Sequence, residues 1–174
     1  PAFADSLDGT VIADGKQLHR MQIGDGNSAD PRIGGTDPEL RAKDMAKDGI
    51  DAELLFPNLG TMIYAIEDGE LAAACCRVYN DWVIKQFGAY RDTFVPAAVL
   101  PMLDVAETLD EFRRSIDLGF RAVMLPTVPP GALRYNDPSL DPIWALAQDQ
   151  RIPLLFHIAT GHSPVFERGP GAAV

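Results

Sequence analysis

The stretch PLLFHIATGH, residues 153–162, contains a short apolar run that ends at a histidine, His157. Three earlier apolar runs end in the same way, but at prolines: Pro57, Pro101 and Pro126. The four runs are almost continuously apolar and do not alternate with polar residues, which is typical of parallel strands that are buried on both faces. We therefore predict four parallel strands, each ending near one of these four residues.

Amphipathic segments separate the predicted strands. The longest of them, residues 67–90, is predicted to be a helix whose core-facing side chains include Leu71, Val78, Trp82 and Phe87. Strands that alternate with amphipathic helices indicate βαβ units. The pattern predicts an α/β protein built from parallel βα repeats, and at this level a (β/α)8 barrel and an open doubly wound sheet both remain possible.

The composition of the chain argues against several classes of protein. Its 174 residues carry a formal charge of -10 without a basic stripe, so nucleic acid is not an expected partner. No apolar run reaches the roughly 18 residues of a membrane span, and the first residues lack the pattern of a signal peptide, so no membrane is expected either. The two cysteines, Cys75 and Cys76, are adjacent and predict no disulfide framework, which favours a reducing, cytoplasmic location.

His157 is the leading candidate for a functional residue, because the carboxyl ends of parallel strands form the ligand face of α/β proteins. A half-buried neutral imidazole has one lone pair, which suits a divalent metal such as zinc. From the residues alone, a metal ligand or general base and a histidine that is hydrogen-bonded to a loop carbonyl are equally good interpretations.

Other polar residues near the predicted strand ends are weaker candidates. Asn58 follows the first strand and could hydrogen-bond a substrate, although turn formation explains it equally well. For His162, five residues after His157, a solvated loop position is the better interpretation, and His19 is expected at the surface. Catalytic zinc takes about three protein ligands. These residues alone assign neither a complete metal site nor a catalytic acid or base.

Four segments of the chain together resemble the amidohydrolase-related family, the branch of the metal-dependent hydrolase superfamily that includes aminocarboxymuconate-semialdehyde decarboxylase and related aromatic-acid decarboxylases. The segments are GGTDPELRAKDMAKDGIDAELLFPNLG (34–60), YNDWVIKQFGAYRDTFVPAAVLPMLD (79–104), SIDLGFRAVMLP (115–126) and NDPSLDPIWALAQDQRIPLLFHIATG (136–161). The resemblance implies a distorted (β/α)8 barrel with one divalent metal ion, often zinc, at the strand mouths. In this family a histidine that ends the fifth strand binds the metal, and His157 matches that histidine.

The resemblance also implies how the chain is organised. The family has a His-x-His pair at the end of its first strand, and no such pair occurs here, so the four predicted strands correspond to strands two to five of the barrel. We therefore expect an irregular N-terminal segment over residues 1–35, with a short hairpin around residues 11–15. A partial (β/α)8 TIM barrel is expected over residues 36–174, as an internal segment of a larger enzyme.

The function that the resemblance implies is part of a metal-dependent hydrolase or non-oxidative decarboxylase that acts on a small carboxylate or amide-type substrate. We expect a divalent metal, with zinc favoured, as the cofactor, His157 as one metal ligand, Asn58 as a substrate contact, and a homo-oligomer. The alternative is a catalytically incomplete α/β fragment that holds no metal and associates with another chain, because four strands without closure leave two sheet edges unpaired.

Overall fold

The computed structural model describes most of the chain, namely residues 10–13, 16–20, 37–57, 59–131, 133–158 and 160. The strands within these residues are β1 (Thr10–Ala13), β2 (Lys16–Arg20), β3 (Glu53–Leu55), β4 (Phe94–Val99), β5 (Ala122–Pro126) and β6 (Leu154–His157). The α-helices are α1 (Pro38–Lys47), α2 (Gly69–Phe87), α3 (Val105–Asp117) and α4 (Asp141–Gln150). Short 3-10 helices occupy Leu59–Ala65, Gly88–Tyr90 and Pro138–Leu140.

The strands form two separate sheets. β1 and β2 pair antiparallel within the N-terminal segment, where a short hairpin around residues 11–15 was expected. The other four strands form one sheet in the order β3-β4-β5-β6, and all three neighbouring pairs are parallel. Each parallel strand is joined to the next through a helix, because a parallel pair needs a long crossover connection. The predicted parallel βα repeats are therefore confirmed.

The four-stranded sheet is strongly curled. In a flat sheet the outer strands β3 and β6 would lie roughly 14 Å apart, which is three strand spacings of about 4.8 Å. The ring of Phe56, directly after β3, and the ring of His157, at the end of β6, nevertheless have centroids only 5.1 Å apart. The outer strands therefore bend toward each other on one face, which we call the concave face. This half-barrel confirms the predicted partial (β/α)8 fold.

Helix α2 packs against β4 through a face that the apolar pattern did not predict. The buried residues of this helix are Ala72, Ala73, Cys76, Asn80, Val83 and Phe87. Phe87 is buried as predicted, but Val78 and Trp82 are 70% and 49% exposed. The prediction for Val78 and Trp82 was wrong because three small residues, Asn80, Val83 and Phe87 form the inner face of α2, and positions 78 and 82 lie outside it. At 100° per residue, positions 78 and 82 lie on the opposite side of the helix from Cys76 and Asn80.

A buried polar network joins α2, α3 and β4. The Asn80 amide donates to the Val99 carbonyl over 2.9 Å and to Glu111 Oε1 over 2.7 Å, and the Asn80 carbonyl oxygen accepts from the Val99 N–H over 2.9 Å. The Glu111 carboxylate also accepts two hydrogen bonds from Arg114, over 2.8 and 2.9 Å. Every group in this network has a partner, which is what allows a carboxylate and an amide to be buried in a core.

Among the described helices, none combines the length and apolarity needed to cross a lipid bilayer.

Candidate functional site

The carboxyl ends of β3, β4, β5 and β6 form one rim of the half-barrel, and His157 lies on this rim. His157 is the last residue of β6 and pairs in register with Pro126, the last residue of β5. Neighbouring side chains in a strand point to opposite faces. Phe156 contacts Tyr135 in the loop that leads to α4, with ring centroids 5.0 Å apart. His157 therefore projects to the concave face, where it meets the edge of Phe56.

The ring of His157 is anchored through one nitrogen. Its Nδ1 lies 2.8 Å from the carbonyl oxygen of Ile158. A carbonyl can only accept a hydrogen bond, so Nδ1 carries the proton and Nε2 bears the lone pair of the neutral ring. Metal-binding histidines commonly have this arrangement, with one nitrogen held by a backbone carbonyl. The loop-carbonyl and metal-ligand interpretations of His157 are therefore compatible, because they use different nitrogens.

Two threonines hold the turn that follows His157. The Thr127 N–H donates to Thr160 Oγ1 over 3.0 Å, and Thr127 Oγ1 donates to the Thr160 carbonyl over 2.8 Å. The Thr160 hydroxyl also donates to the carbonyl of His157. We call Thr127 and Thr160 the threonine clamp. One feature of the sequence indicates the clamp: Thr127 directly follows β5, and Thr160 comes three residues after His157.

A buried tyrosine, Tyr64, and a partly buried one, Tyr135, fix β5 beneath the rim. The Tyr64 hydroxyl donates to the Met124 carbonyl over 2.9 Å, and the Tyr135 hydroxyl donates to the Pro126 carbonyl. Burial raises the pKa of Tyr64 well above its ordinary value, and burial also raises the pKa of Tyr135. Both phenols therefore stay protonated at neutral pH, and they act as hydrogen-bond donors to the strand rather than as acid-base groups.

Asn58, the other predicted site residue, and the two remaining histidines cannot be placed beside His157. Asn58 and His162 lie outside the described residues, and His19 is in β2, where the backbone alone is described. Within the described part of the chain, no group of three His, Cys, Asp or Glu side chains could hold a metal ion. His157 fits a metal through Nε2, but these residues supply a single candidate ligand and not the three that a catalytic zinc site uses.

Comparison with known proteins identifies the family. A family model described as amidohydrolase matches residues 17–171. The chain belongs to the amidohydrolase family. This confirms the resemblance to amidohydrolase-related enzymes, and it places β3 to β6 of the half-barrel within the matched region.

Solved structures with the same fold include decarboxylases and a hydratase. A 2,6-dihydroxybenzoate decarboxylase from Rhizobium is 26% identical, with a TM-score of 0.65, over 74% of this chain and 41% of that one. A dihydroxybenzoic acid decarboxylase from Polaromonas sp. JS666, with bound manganese and the inhibitor 2-nitroresorcinol, is 26% identical, with a TM-score of 0.60, over 71% and 38%. A 4-oxalomesaconate hydratase from Rhodopseudomonas palustris shares the fold at 23% identity, with a TM-score of 0.56, over 69% and 37%.

The chain spans about two fifths of the length of these solved structures. No curated protein matches it. The comparisons therefore establish the family and the half-barrel fold, and the reaction is a separate question because one fold supports many reactions.

Proposed function

We propose that this chain forms part of a metal-dependent enzyme that cleaves a small carboxylate substrate, as a non-oxidative decarboxylase or a hydrolase, and that His157 is one of its metal ligands. The observation that carries the proposal is the position of His157. It ends a parallel strand, faces the concave side, and its Nδ1–H is bound to the Ile158 carbonyl, so that Nε2 is the nitrogen with the lone pair. A divalent ion, when bound, would polarise a substrate oxygen as a Lewis acid.

A decarboxylase is favoured over a hydrolase of amide substrates. Both solved structures described above at 26% identity are decarboxylases of dihydroxybenzoates. In addition, Phe56 stands beside His157 and is 39% exposed, so its ring offers an apolar wall for a planar substrate. Asn58, two residues after Phe56, would hydrogen-bond a polar substituent of that substrate. The proposed cofactor is a divalent ion, for which manganese and zinc are the two candidates to test, since one of these structures contains manganese.

Metal binding and turnover of the full polypeptide test this proposal. The wild type, His157→Ala and the control His19→Ala would be dialysed against Mn²⁺ or Zn²⁺, and bound metal would be measured by mass spectrometry. CO₂ release from 2,6-dihydroxybenzoate would then be assayed. We expect about one bound ion in the wild type and the control, and a loss of affinity of more than about 100-fold in His157→Ala, which exceeds the effect of losing an outer partner of a ligand. Unchanged metal affinity in His157→Ala would contradict the proposal.

A second candidate, a catalytically incomplete chain that associates with another chain, is favoured by the open sides of the half-barrel. Among the described strands, β3 and β6 each pair on one side only. Leu54, Phe156 and Ile158 on or next to these strands are 38%, 52% and 77% exposed. Strand edges of this kind favour pairing with further strands. A metal-free homo-oligomer in analytical ultracentrifugation, without CO₂ release, would support this candidate, whereas a metal-loaded active protein would exclude it.

A further inference from the structure

Two threonine side chains, Thr127 after β5 and Thr160 after β6, hold the turn that follows β6. The Thr160 hydroxyl donates to the His157 carbonyl and at the same time accepts the Thr127 N–H over 3.0 Å. In return, the Thr127 hydroxyl donates to the Thr160 carbonyl over 2.8 Å. The clamp thus uses both hydroxyls and three backbone groups, namely the Thr127 N–H and the carbonyls of Thr160 and His157. Thr160 is only 3% exposed.

The Ile158 carbonyl comes one residue after the His157 carbonyl that Thr160 holds. Ile158 is the first residue after β6 and directly follows His157, whose carbonyl accepts from the Thr160 hydroxyl. The same carbonyl accepts from His157 Nδ1 over 2.8 Å. An imidazole bound through Nδ1–H has its proton fixed on that nitrogen, and its ring is held in one orientation. The backbone geometry of the turn is therefore coupled to the tautomer of the ring.

We infer that Thr127 and Thr160 are positioning residues that hold the His157 ring as the Nδ1–H tautomer, so that Nε2 is the nitrogen presented to a divalent cation. The inference rests on the proposed function, because it assigns a role to groups that act on a proposed metal ligand. It goes beyond that function by naming two hydroxyl groups that would act without contacting the metal, and the ring nitrogen that would bind it.

The hydroxyls, rather than the bulk of the threonines, are the groups that matter. Valine has nearly the same shape as threonine and cannot donate, whereas serine keeps the hydroxyl and loses only a methyl group. Thr160→Val removes the donor to the His157 carbonyl and the acceptor for the Thr127 N–H. Thr127→Val removes one hydrogen bond at an exposed position, and is the milder change. Thr93→Val is the matched control, because Thr93 precedes β4 at the opposite end of the sheet.

The experiment reads the tautomer directly in the metal-free full polypeptide. Two-bond proton–nitrogen NMR spectra of ¹⁵N-histidine-labelled protein would be recorded at about pH 8.5, where ordinary imidazoles are neutral. The signals of His157 are assigned by their loss in His157→Ala. Circular dichroism of each variant confirms that it is folded, and calorimetric titration with Mn²⁺ gives the affinity. If Thr160→Val does not fold, Thr127→Val decides the question.

We expect a single Nδ1–H tautomer in the wild type, in Thr160→Ser, in Thr127→Ser and in the Thr93 control. In Thr160→Val and Thr127→Val we expect the Nε2–H form to be populated, and Mn²⁺ affinity to fall about 10-fold. An Nε2–H tautomer in the wild type, or unchanged His157 signals in both valine variants, would overturn the inference. Full Mn²⁺ affinity in His157→Ala would instead overturn the proposed function, and the NMR spectra would still decide whether the clamp sets the tautomer.

Discussion

Replacing Asn80 by leucine should strongly destabilise the fold, although leucine has a similar size and is apolar. Asn80 is completely buried, and its side chain bonds both the N–H and the carbonyl of Val99, each over 2.9 Å. β3 ends at Leu55, which pairs with Pro96, so β3 does not extend as far as Val99. Beyond the end of β3, the Asn80 side chain therefore makes the two backbone hydrogen bonds to Val99 that a residue of a neighbouring strand would otherwise make.

The size of the effect follows from the groups that Asn80→Leu leaves unpaired. The N–H and carbonyl of Val99 would both stay buried without a partner, and each such group costs about 1–3 kcal/mol. The Glu111 carboxylate would lose one of three hydrogen bonds but keep the two from Arg114. We expect a loss of about 4 kcal/mol in the free energy of unfolding, which is a large part of the 5–15 kcal/mol of an ordinary domain.

Urea unfolding followed by circular dichroism measures this loss. The matched control is Asn136→Leu, because Asn136 is an exposed asparagine in the loop before α4, and surface changes of this kind usually stay within about 0.5 kcal/mol. Equal midpoints of urea unfolding for Asn80→Leu and Asn136→Leu would contradict this expectation. The two Val99 groups would then have found other partners, or would never have depended on Asn80.

Three further predictions concern charged and reactive groups. Arg114→Met should cost about 3 kcal/mol in urea unfolding, because the fully buried Glu111 carboxylate loses two hydrogen bonds from a partly exposed partner. The backbone N–H of Ser139 lowers the pKa of Asp137. The wild type should therefore be more stable than Asp137→Ala at neutral pH, and this difference should disappear as the pH falls through the lowered pKa. Burial raises the pKa of Cys76 well above its ordinary value, so a disulfide reagent at about pH 8 should modify Cys76 only after guanidinium unfolding.

Each of these predictions has a control within the chain. Arg113→Met alters an exposed ion pair with Asp110 and should leave stability nearly unchanged, and an equal loss in the two arginine variants would contradict the role of the buried carboxylate. A stability difference between the wild type and Asp137→Ala that stays the same from neutral pH into acid would contradict the assignment to Asp137. Rapid modification of Cys76 in the folded Cys75→Ser variant would contradict its burial.

The architecture was predictable because its signals are local. The apolar runs that mark β3 to β6 are long enough to identify buried strands, and three of the markers are prolines, which lack the N–H that a strand interior needs. β4 ends two residues before Pro101, and β5 and β6 end at Pro126 and His157 themselves. Helical segments between such runs favour parallel pairing, because a parallel pair needs a long crossover connection.

The inner face of α2 and the surroundings of His157 were not predictable, because both depend on contacts between distant parts of the chain. A buried Asn80 has meaning only once Val99 is beside it, and an apolar pattern assigns Trp82 to the core in its place. The contact between Phe56 and His157 depends on the curl of the sheet, which no local pattern encodes. The clamp joins residues that are 33 positions apart. The role of Asn58 stays a prediction, since Asn58 lies outside the described residues.

The proposed function requires that the ring of His157, on the concave side of the curled parallel sheet, presents Nε2 to a divalent ion. Titration of the full polypeptide with substoichiometric Mn²⁺, observed through NMR of the histidine rings and the Trp82 indole, tests it most directly because Mn²⁺ broadens nearby signals. We expect the His157 ring signals to disappear first, while the signals of Trp82, on the outer side of α2, remain sharp. Sharp His157 signals in a protein that has bound Mn²⁺ would contradict it.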